Sequence, residues 1–297
     1  MKVLNFGSLN IDYVYSVEHF VRAGETISSS RLEQFCGGKG LNQSVAFARA
    51  GAATYHAGCI GVEGEMLRDM LNDSGVDTTF VKTVEGVSCG HAIIQVNENG
   101  ENCILLYGGA NQAITEEMMD EVFSSFFEGD LLMLQNEING LDLIIRKAKE
   151  KKMTVALNPS PFNEKITAID LSWIDWMILN ETEGCEITGK TNPEEILDTL
   201  LSRYPSMRIV LTLGSQGAIY ADARMRTSQG IFPAAVVDTT AAGDTFTGFF
   251  FASVLSGETP TQALKIASAA SSITVSRKGA APSIPTMQAL IDSKKLI

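Results

Sequence analysis

The chain has 297 residues, 45% apolar and 20% charged, a balance that lets an ordinary globular protein bury a large core without disulfide or metal staples. A net charge of −12, from 23 Lys and Arg against 35 Asp and Glu, argues against nucleic acid or an anionic membrane as the main partner. A small anion such as a nucleotide still needs only a local patch of donors.

The five cysteines (Cys36, Cys59, Cys89, Cys103, Cys185) and three histidines (His19, His56, His91) are scattered, without C-x-x-C or zinc spacing. They read as reduced thiols of a cytoplasmic protein. The opening MKVLNFGSLNID is too short for a signal-peptide core, and the apolar run Phe246–Leu255 falls far short of the roughly 20 residues that span a bilayer. It reads as a buried helix.

In chain order, the pattern predicts strands at Val3–Gly7, Thr54–Ile60, Leu131–Gln135, Thr154–Leu157, Trp176–Leu179 and Ile209–Thr212. Helices are predicted at Leu41–Ala50, Glu63–Asn72, Glu116–Phe126, Leu141–Lys151, Pro193–Arg203, Asp244–Ser256 and Pro260–Ser276. Alternation of this kind implies an α/β fold, a mostly parallel sheet covered on both faces, with functional residues in the turns after strands. Residues 12–35 and 88–107 break the alternation. The second holds Asn97-Glu98-Asn99-Gly100, a hairpin signal. Both read as antiparallel strands attached to the main sheet, either extending its edge or forming a lid.

Five segments carry chemistry. Asn10 and Asp12, two apart after the first strand, point to one face and could hold two hydroxyls, or could make an Asx turn. In Gly37-Gly38-Lys39-Gly40-Leu41-Asn42-Gln43 the glycines bare the backbone for a polyhydroxyl ligand, with Asn42 on the first helical turn. Lys39 does not complete a P-loop, because Gly40 follows it. Asn180-Glu181-Thr182-Glu183 could cap a helix, or set Asn180 and Glu183 near phosphate and its magnesium. Thr212-Leu213-Gly214-Ser215-Gln216-Gly217 is a glycine turn fit for a hairpin or a nucleotide loop. In Val236–Phe246, small residues precede a helix at about Asp244. Free N–H groups there would form an anion site, with Asp244 a base for a hydroxyl. On this segment alone, Asp244 as a capping residue is the simpler reading.

Together and in order, these segments resemble the PfkB family of carbohydrate kinases over nearly the whole chain. The match runs from Gly7-Ser8-Leu9-Asn10-Ile11-Asp12 and Gly37–Gln43 through Asn97–Asn102, Met133–Glu137, Leu157-Asn158-Pro159, Asn180–Glu183 and Thr212–Ser215. It ends in Asp238-Thr239-Thr240-Ala241-Ala242-Gly243-Asp244-Thr245-Phe246 and Arg277–Ser283. The G-G-K-G-x-N and D-T-x-x-A-G-D runs are the specific ones.

The resemblance implies a ribokinase-like, doubly wound domain over residues 1–297, with a small β-sheet lid that also makes a homodimer contact. It implies ATP-dependent transfer of the γ-phosphoryl group to a primary hydroxyl of a small sugar, D-ribose first. Fructose, keto-deoxygluconate and nucleosides are the alternatives. Asn10, Asp12, Gly38, Lys39, Asn42, Glu137 and Asp244 would hold the sugar. Asp244 would be the general base, and Ala241, Ala242 and Gly243 the anion hole. Asn180, Thr212, Gly214, Ser215, Gly217, Gly243 and Ser268 would border ATP, with Glu183 organising Mg²⁺ through water. Asp238, Thr240, Thr274, Arg277, Gly279 and Ser283 match the positions of a K⁺ site. Leu41, Cys36 and Asn136 depart from the commonest pattern close to the expected sugar pocket. A sugar-binding regulator on an inactive kinase fold would show a broken Asp244 or a filled anion hole, whereas Ala241–Asp244 is intact.

Overall fold

Val3, Leu4 and Phe6 are apolar and fully buried, the mark of a strand covered on both faces. In the computed structural model, which describes residues 1–296, this strand is β1 (Val3–Phe6). Then come β2 (Asn10–Ser16), β3 (Arg31–Gly37), α1 (Lys39–Arg49), β4 (Thr54–Ile60), α2 (Glu65–Asp73), β5 (Asp77–Thr83), β6 (Gly90–Val96), β7 (Asn102–Tyr107) and α3 (Glu116–Phe123). Next are β8 (Leu131–Gln135), α4 (Leu141–Glu150), β9 (Thr154–Asn158), α5 (Glu164–Thr167), β10 (Trp176–Asn180), α6 (Glu181–Thr188), α7 (Pro193–Arg203) and β11 (Arg208–Thr212). The chain finishes with β12 (Ala218–Ala221), β13 (Arg226–Gln229), α8 (Ala242–Leu255), α9 (Pro260–Thr274) and α10 (Met287–Asp292). Ile297, the last residue of the expected domain, lies outside the described residues.

The large sheet has nine strands in the order β13-β12-β11-β10-β9-β8-β1-β4-β5. Every pairing from β11 to β5 is parallel, and the β12–β13 hairpin closes one edge antiparallel. Side chains alternate between two cores: Leu131 and Met133 enter one, Leu132 and Leu134 the other. The chain leaves β1 toward β4 on one side and returns to β8 on the other. The reversal of strand order therefore falls between β1 and β8, where open α/β sheets bind ligands.

Helix α8 confirms the buried-helix reading of Phe246–Leu255. Phe249, Phe250 and Phe251 are buried, and Trp176 meets Phe251 edge-on at 5.4 Å. The helix begins two residues before the expected Asp244, because Ala241 takes a left-handed conformation (φ 60°) and turns the chain there. Asp244 thus sits in the first turn rather than at the cap.

The two segments that break the alternation do not join the main sheet. They form a separate sheet in the order β3-β2-β6-β7. Its outer pairs are antiparallel as expected, but β2 and β6 run parallel. The reason lies in connectivity. The chain enters this sheet at Asn10 from β1 and again at Gly90 after β5, both times from the main sheet, so the two entering strands share a direction.

Candidate active site

Asn10, Asp12, Gly38, Lys39, Asn42, Glu137 and Asp244 all line one cleft of about 670 Å³ between the two sheets. Residues spread over most of the sequence meet because β1, β3, β8 and α8 all end or begin at the switch point. Glu137 follows β8 and ties the floor together. It accepts hydrogen bonds from Ser8 Oγ and from the Lys39 N–H (3.0 Å). Gly38, at φ 93°, makes the turn from β3 into α1 that a side chain would strain. A Cβ on Gly40 would run into the backbone of Ser8, so α1 can pack its first turn onto the β1–β2 link only with glycine there.

Hydrogen bonds fix what each amide presents. Asn10 Oδ1 accepts from Asn111 Nδ2 (2.7 Å), which leaves the Asn10 Nδ2 donors for the cleft. Asn42 Nδ2 donates to Asp244 Oδ2 (3.0 Å), while Asn42 Oδ1 is buried without a donor. An orphaned acceptor in the wall of a cleft is a place for a ligand hydroxyl.

Charge is concentrated here. Burial, with the nearby Glu137 carboxylate, pushes the Asp12 carboxyl up to about 7. Burial also raises Glu137, partly offset by Lys39 and by its hydrogen bonds from Ser8 and the Lys39 N–H. For Lys39, burial alone would lower the ammonium, but the carboxylates of Asp244, Glu137 and Glu183 outweigh it and hold the cation. A retained cation amid carboxylates at a cleft floor suits a migrating anionic group.

A second cleft, of about 370 Å³, is lined by Thr212, Gly214, Ser215, Gly217, Gly243 and Ser268. Ile231, Phe232, Val236 and Phe246 give it apolar walls. Ser271 Oγ donates to Ala242 O and Ser272 Oγ to Ala269 O, whereas Ser268 Oγ is buried without a partner. Asn180 is not in the lining, but it pairs in register with Thr212. It forms a capping box with Glu183: Glu183 N donates to Asn180 Oδ1 (2.9 Å) and Asn180 N to Glu183 Oε2 (3.1 Å).

The two clefts meet at the start of α8. Thr239, Ala242 and Gly243 face the smaller one, Thr240, Ala241 and Asp244 the larger. Among the described residues nothing accepts from the N–H groups of Gly243 and Asp244, and the next N–H along α8, that of Thr245, bonds back to Ala241 O (2.8 Å). The Ala242 N–H, expected in the anion hole, instead donates to Thr239 O (3.2 Å). The Asp244 N–H is free to replace it.

Of the expected cation positions, Asp238, Thr240 and Gly279 come together. Asp238 accepts from Thr240 N (2.9 Å), Thr240 Oγ1 (2.6 Å) and Gly279 N (2.9 Å). Burial would raise the Asp238 carboxyl, but these hydrogen bonds and Lys278 bring it below its ordinary value. Thr274 and Ser283 are buried beside this loop, and their carbonyls already accept from Arg277 N (3.0 Å) and Arg277 Nη1 (3.3 Å).

The three departures fall behind the site rather than in it. Leu41 is core, and Cys36 Sγ points at Met66 O (3.4 Å), its thiol pushed up by burial to about 11 and so unreactive. Asn136 Nδ2 donates to Pro161 O (2.7 Å), and Pro161 lines the larger cleft. Asn111 and the apolar walls Ile231 and Phe232 are not among the residues that the motifs single out. Asn111 gave a signal as an amide after glycine in Gly108-Gly109-Ala110-Asn111. Ile231 and Phe232 lie where no regular element marks them.

A kinase needs an acceptor site and a nucleotide site joined at an anion-binding backbone, and these two clefts have that arrangement. The family model for the pfkB carbohydrate kinases matches residues 1–287. The chain belongs to the PfkB family of carbohydrate kinases. It is 35% identical over 295 residues to a ribokinase of Haemophilus influenzae, with 96% of each chain covered. Among solved structures it resembles an Arabidopsis thaliana ribokinase complexed with ribose and ATP (TM-score 0.87, 30% identity, 99% of this chain and 98% of that one). It also resembles a Cryptococcus neoformans ribokinase in complex with ADP (TM-score 0.86, 30% identity, 98% and 99%). This PfkB kinase is therefore an ATP-dependent sugar kinase on a ribokinase-like fold, as the sequence motifs implied.

Proposed function

We propose that the chain phosphorylates the primary hydroxyl of D-ribose, with Asp244 as the general base. The observation that carries this is the junction of the clefts, where the Asp244 carboxylate and the free N–H groups of Gly243 and Asp244 stand side by side. ATP lies in the smaller cleft, its base between the apolar walls and near the unpartnered Ser268. The sugar lies in the larger one, held by Asn10, Asp12, Gly38, Lys39, Asn42 and Glu137. Asp244 takes the proton of the attacking hydroxyl as the phosphoryl group transfers in line, and the α8 N-terminus with Lys39 bears the developing charge. The small sheet acts as a lid whose closure keeps water from competing.

Two cations belong to this reading. Glu183 spends one carboxylate oxygen on its capping box, and the other remains for a water of the Mg²⁺ shell. Mg²⁺ supplies charge neutralisation at the transferring phosphates. At the Asp238 loop the carbonyls of Asp238, Thr240 and Gly279 accept no hydrogen bond among the described residues, and with the Asp238 carboxylate they offer the hard oxygen set a K⁺ ion takes. The lid pairs two copies into a homodimer: Ile104, Leu105, Leu106 and Tyr107 of its edge strand are more than half exposed. The cytoplasm fits the scattered free thiols.

The test is ADP release with MgATP in potassium buffer across ribose, 2-deoxyribose, fructose, keto-deoxygluconate and nucleosides. Ribose is expected to give the highest kcat/KM. A clear preference for another panel member overturns the substrate and leaves the reaction. Activity unchanged when sodium replaces potassium removes the K⁺ site.

A further inference from the structure

Polar side chains are rare at the centre of a doubly covered sheet, because each costs free energy unless it is paired. Here a row of them lies directly beneath Asp244. Gln43, fully buried on α1 and lining neither cleft, donates from Nε2 to Asp244 Oδ1 (3.0 Å). Its Oε1 accepts from Gln135 Nε2 (2.7 Å), at the end of β8. Asn158, the register partner of Gln135 on β9, brings its Oδ1 within 3.3 Å of Gln43 Nε2. Gln135 Nε2 also donates to Asn5 Oδ1 (2.9 Å) on β1, and Asn5 Nδ2 donates to Ser44 Oγ (2.8 Å). Ser44 in turn meets His56 Nδ1 (2.7 Å), whose imidazole burial lowers to about 4 and so keeps neutral.

The direction of these bonds matters. An amide can present either its oxygen or its nitrogen, and the two look alike in shape. Gln43 cannot turn its oxygen toward Asp244, because the Gln135 N–H already claims it. Gln135 is held in turn by Asn5, and Asn5 by the Gly40 carbonyl, which can only accept and takes a hydrogen bond from Asn5 Nδ2 (2.7 Å). The chain of donors therefore fixes one polarity, with N–H facing the carboxylate. A carboxylate gripped at Oδ1 by Gln43 and at Oδ2 by Asn42 has its plane set by two elements of the scaffold. Only Asn42 of this pair lines the cleft.

We infer that Gln43 is a positioning residue of the reaction, locked by Gln135 so that it orients the Asp244 carboxylate toward the sugar hydroxyl. The inference rests on the reading of Asp244 as the base. It predicts a separation of turnover from binding. Gln43 lines neither the sugar cleft nor the nucleotide cleft and reaches them only through Asp244, so its loss leaves both affinities in place and lets the carboxylate rotate out of line. One hydrogen bond to a charged group corresponds to about 10- to 100-fold in rate. A smaller loss, about 3- to 10-fold, follows when Gln135 is removed and Gln43 alone is freed to turn.

The experiment measures kcat and both KM values for Gln43→Met and Gln135→Met, with Asp244→Asn alongside. Turnover is normalised to the fraction of protein that binds ribose by calorimetry. The expected result is a fall in kcat in the order Gln43→Met, then Gln135→Met, with KM for sugar and ATP within about twofold of the parent. A residue that only packs would lower melting temperature and active fraction, leaving kcat per binding-competent enzyme unchanged, and that result overturns the inference. If Gln43→Met does not accumulate as folded protein, Gln135→Met decides by the same criterion. Near-normal turnover in Asp244→Asn would instead remove the base assignment. An inactive Asp244→Asn beside a fully active Gln43→Met would keep the base and discard only the positioning role.

Discussion

Asp12 offers a sharp test of how the sugar cleft is charged. Among the described residues no donor reaches its carboxylate oxygens, and burial with the nearby Glu137 raises its pKa from 3.8 to about 7. A raised folded-state pKa contributes stability that is complete below the unfolded value, near 3.8, and is lost as pH rises through about 7. The shift of about 3 units corresponds to about 4 kcal/mol, carried as strain by the sugar-free enzyme above pH 7. A sugar whose hydroxyls donate to Asp12 relieves that strain and favours the ionised form. Sugar binding should therefore release close to one proton at pH 6 and almost none at pH 8.5. Affinity should rise about tenfold per pH unit from pH 5 to 7 and then level. Calorimetry in buffers of different ionisation enthalpy counts the proton directly. The variant Asp12→Asn should melt higher than the parent at pH 8, match it more closely at pH 5, and bind sugar weakly at both. An affinity independent of pH between 5.5 and 8.5, or an Asp12→Asn variant less stable than the parent at pH 8, would refute the argument.

Three further outcomes follow from the same geometry. Asn111→Ala leaves the Leu9 N–H and the Asn10 Oδ1 unpaired in a buried link, so denaturant unfolding should show a loss of about 2–5 kcal/mol. In that variant the KM for sugar should rise more than the KM for ATP, since only Asn10 loses its fixed orientation. Phe251→Ala opens a cavity between Trp176 and Phe47 and should cost about 3–5 kcal/mol, read by thermal melting, with kcat of the folded fraction little changed. Ser268→Ala removes the one buried hydroxyl of the nucleotide cleft that has no partner, and should raise the KM for ATP severalfold while the KM for sugar holds.

The parallel sheet was legible because its strands are short apolar runs alternating with amphipathic stretches, and six of them were placed within a residue or two. The small sheet was harder. A hairpin turn at Asn97–Gly100 announces β6 and β7, but nothing local shows that β2 would pair with β6 in parallel, since that pairing depends on where the chain leaves the main sheet. The site residues in glycine-rich runs were visible because a bare backbone next to Asn, Lys or Asp has few structural uses. Gln43 belongs to the same motif yet shows no sign of its role, since nothing in a helical Gln tells that a carboxylate 201 residues away will sit against it. The start of α8 was misplaced because a positive φ at Ala241, unlike one at glycine, leaves no mark in the sequence.

The central claim is that Asp244 performs the proton transfer in a kinase whose sugar and nucleotide are held mainly by other residues. Asp244→Asn keeps the volume and keeps one oxygen to accept from Asn42 or Gln43, so ribose and ATP should bind with affinities close to the parent's. The decisive measurement is rapid-quench transfer of the γ-phosphoryl group in a single turnover, with ribose and ATP both saturating. The account predicts a loss of at least about a hundredfold in the transfer step. Transfer within about threefold of the parent, with both ligands bound, would contradict it and send the search for the base to another group in the cleft.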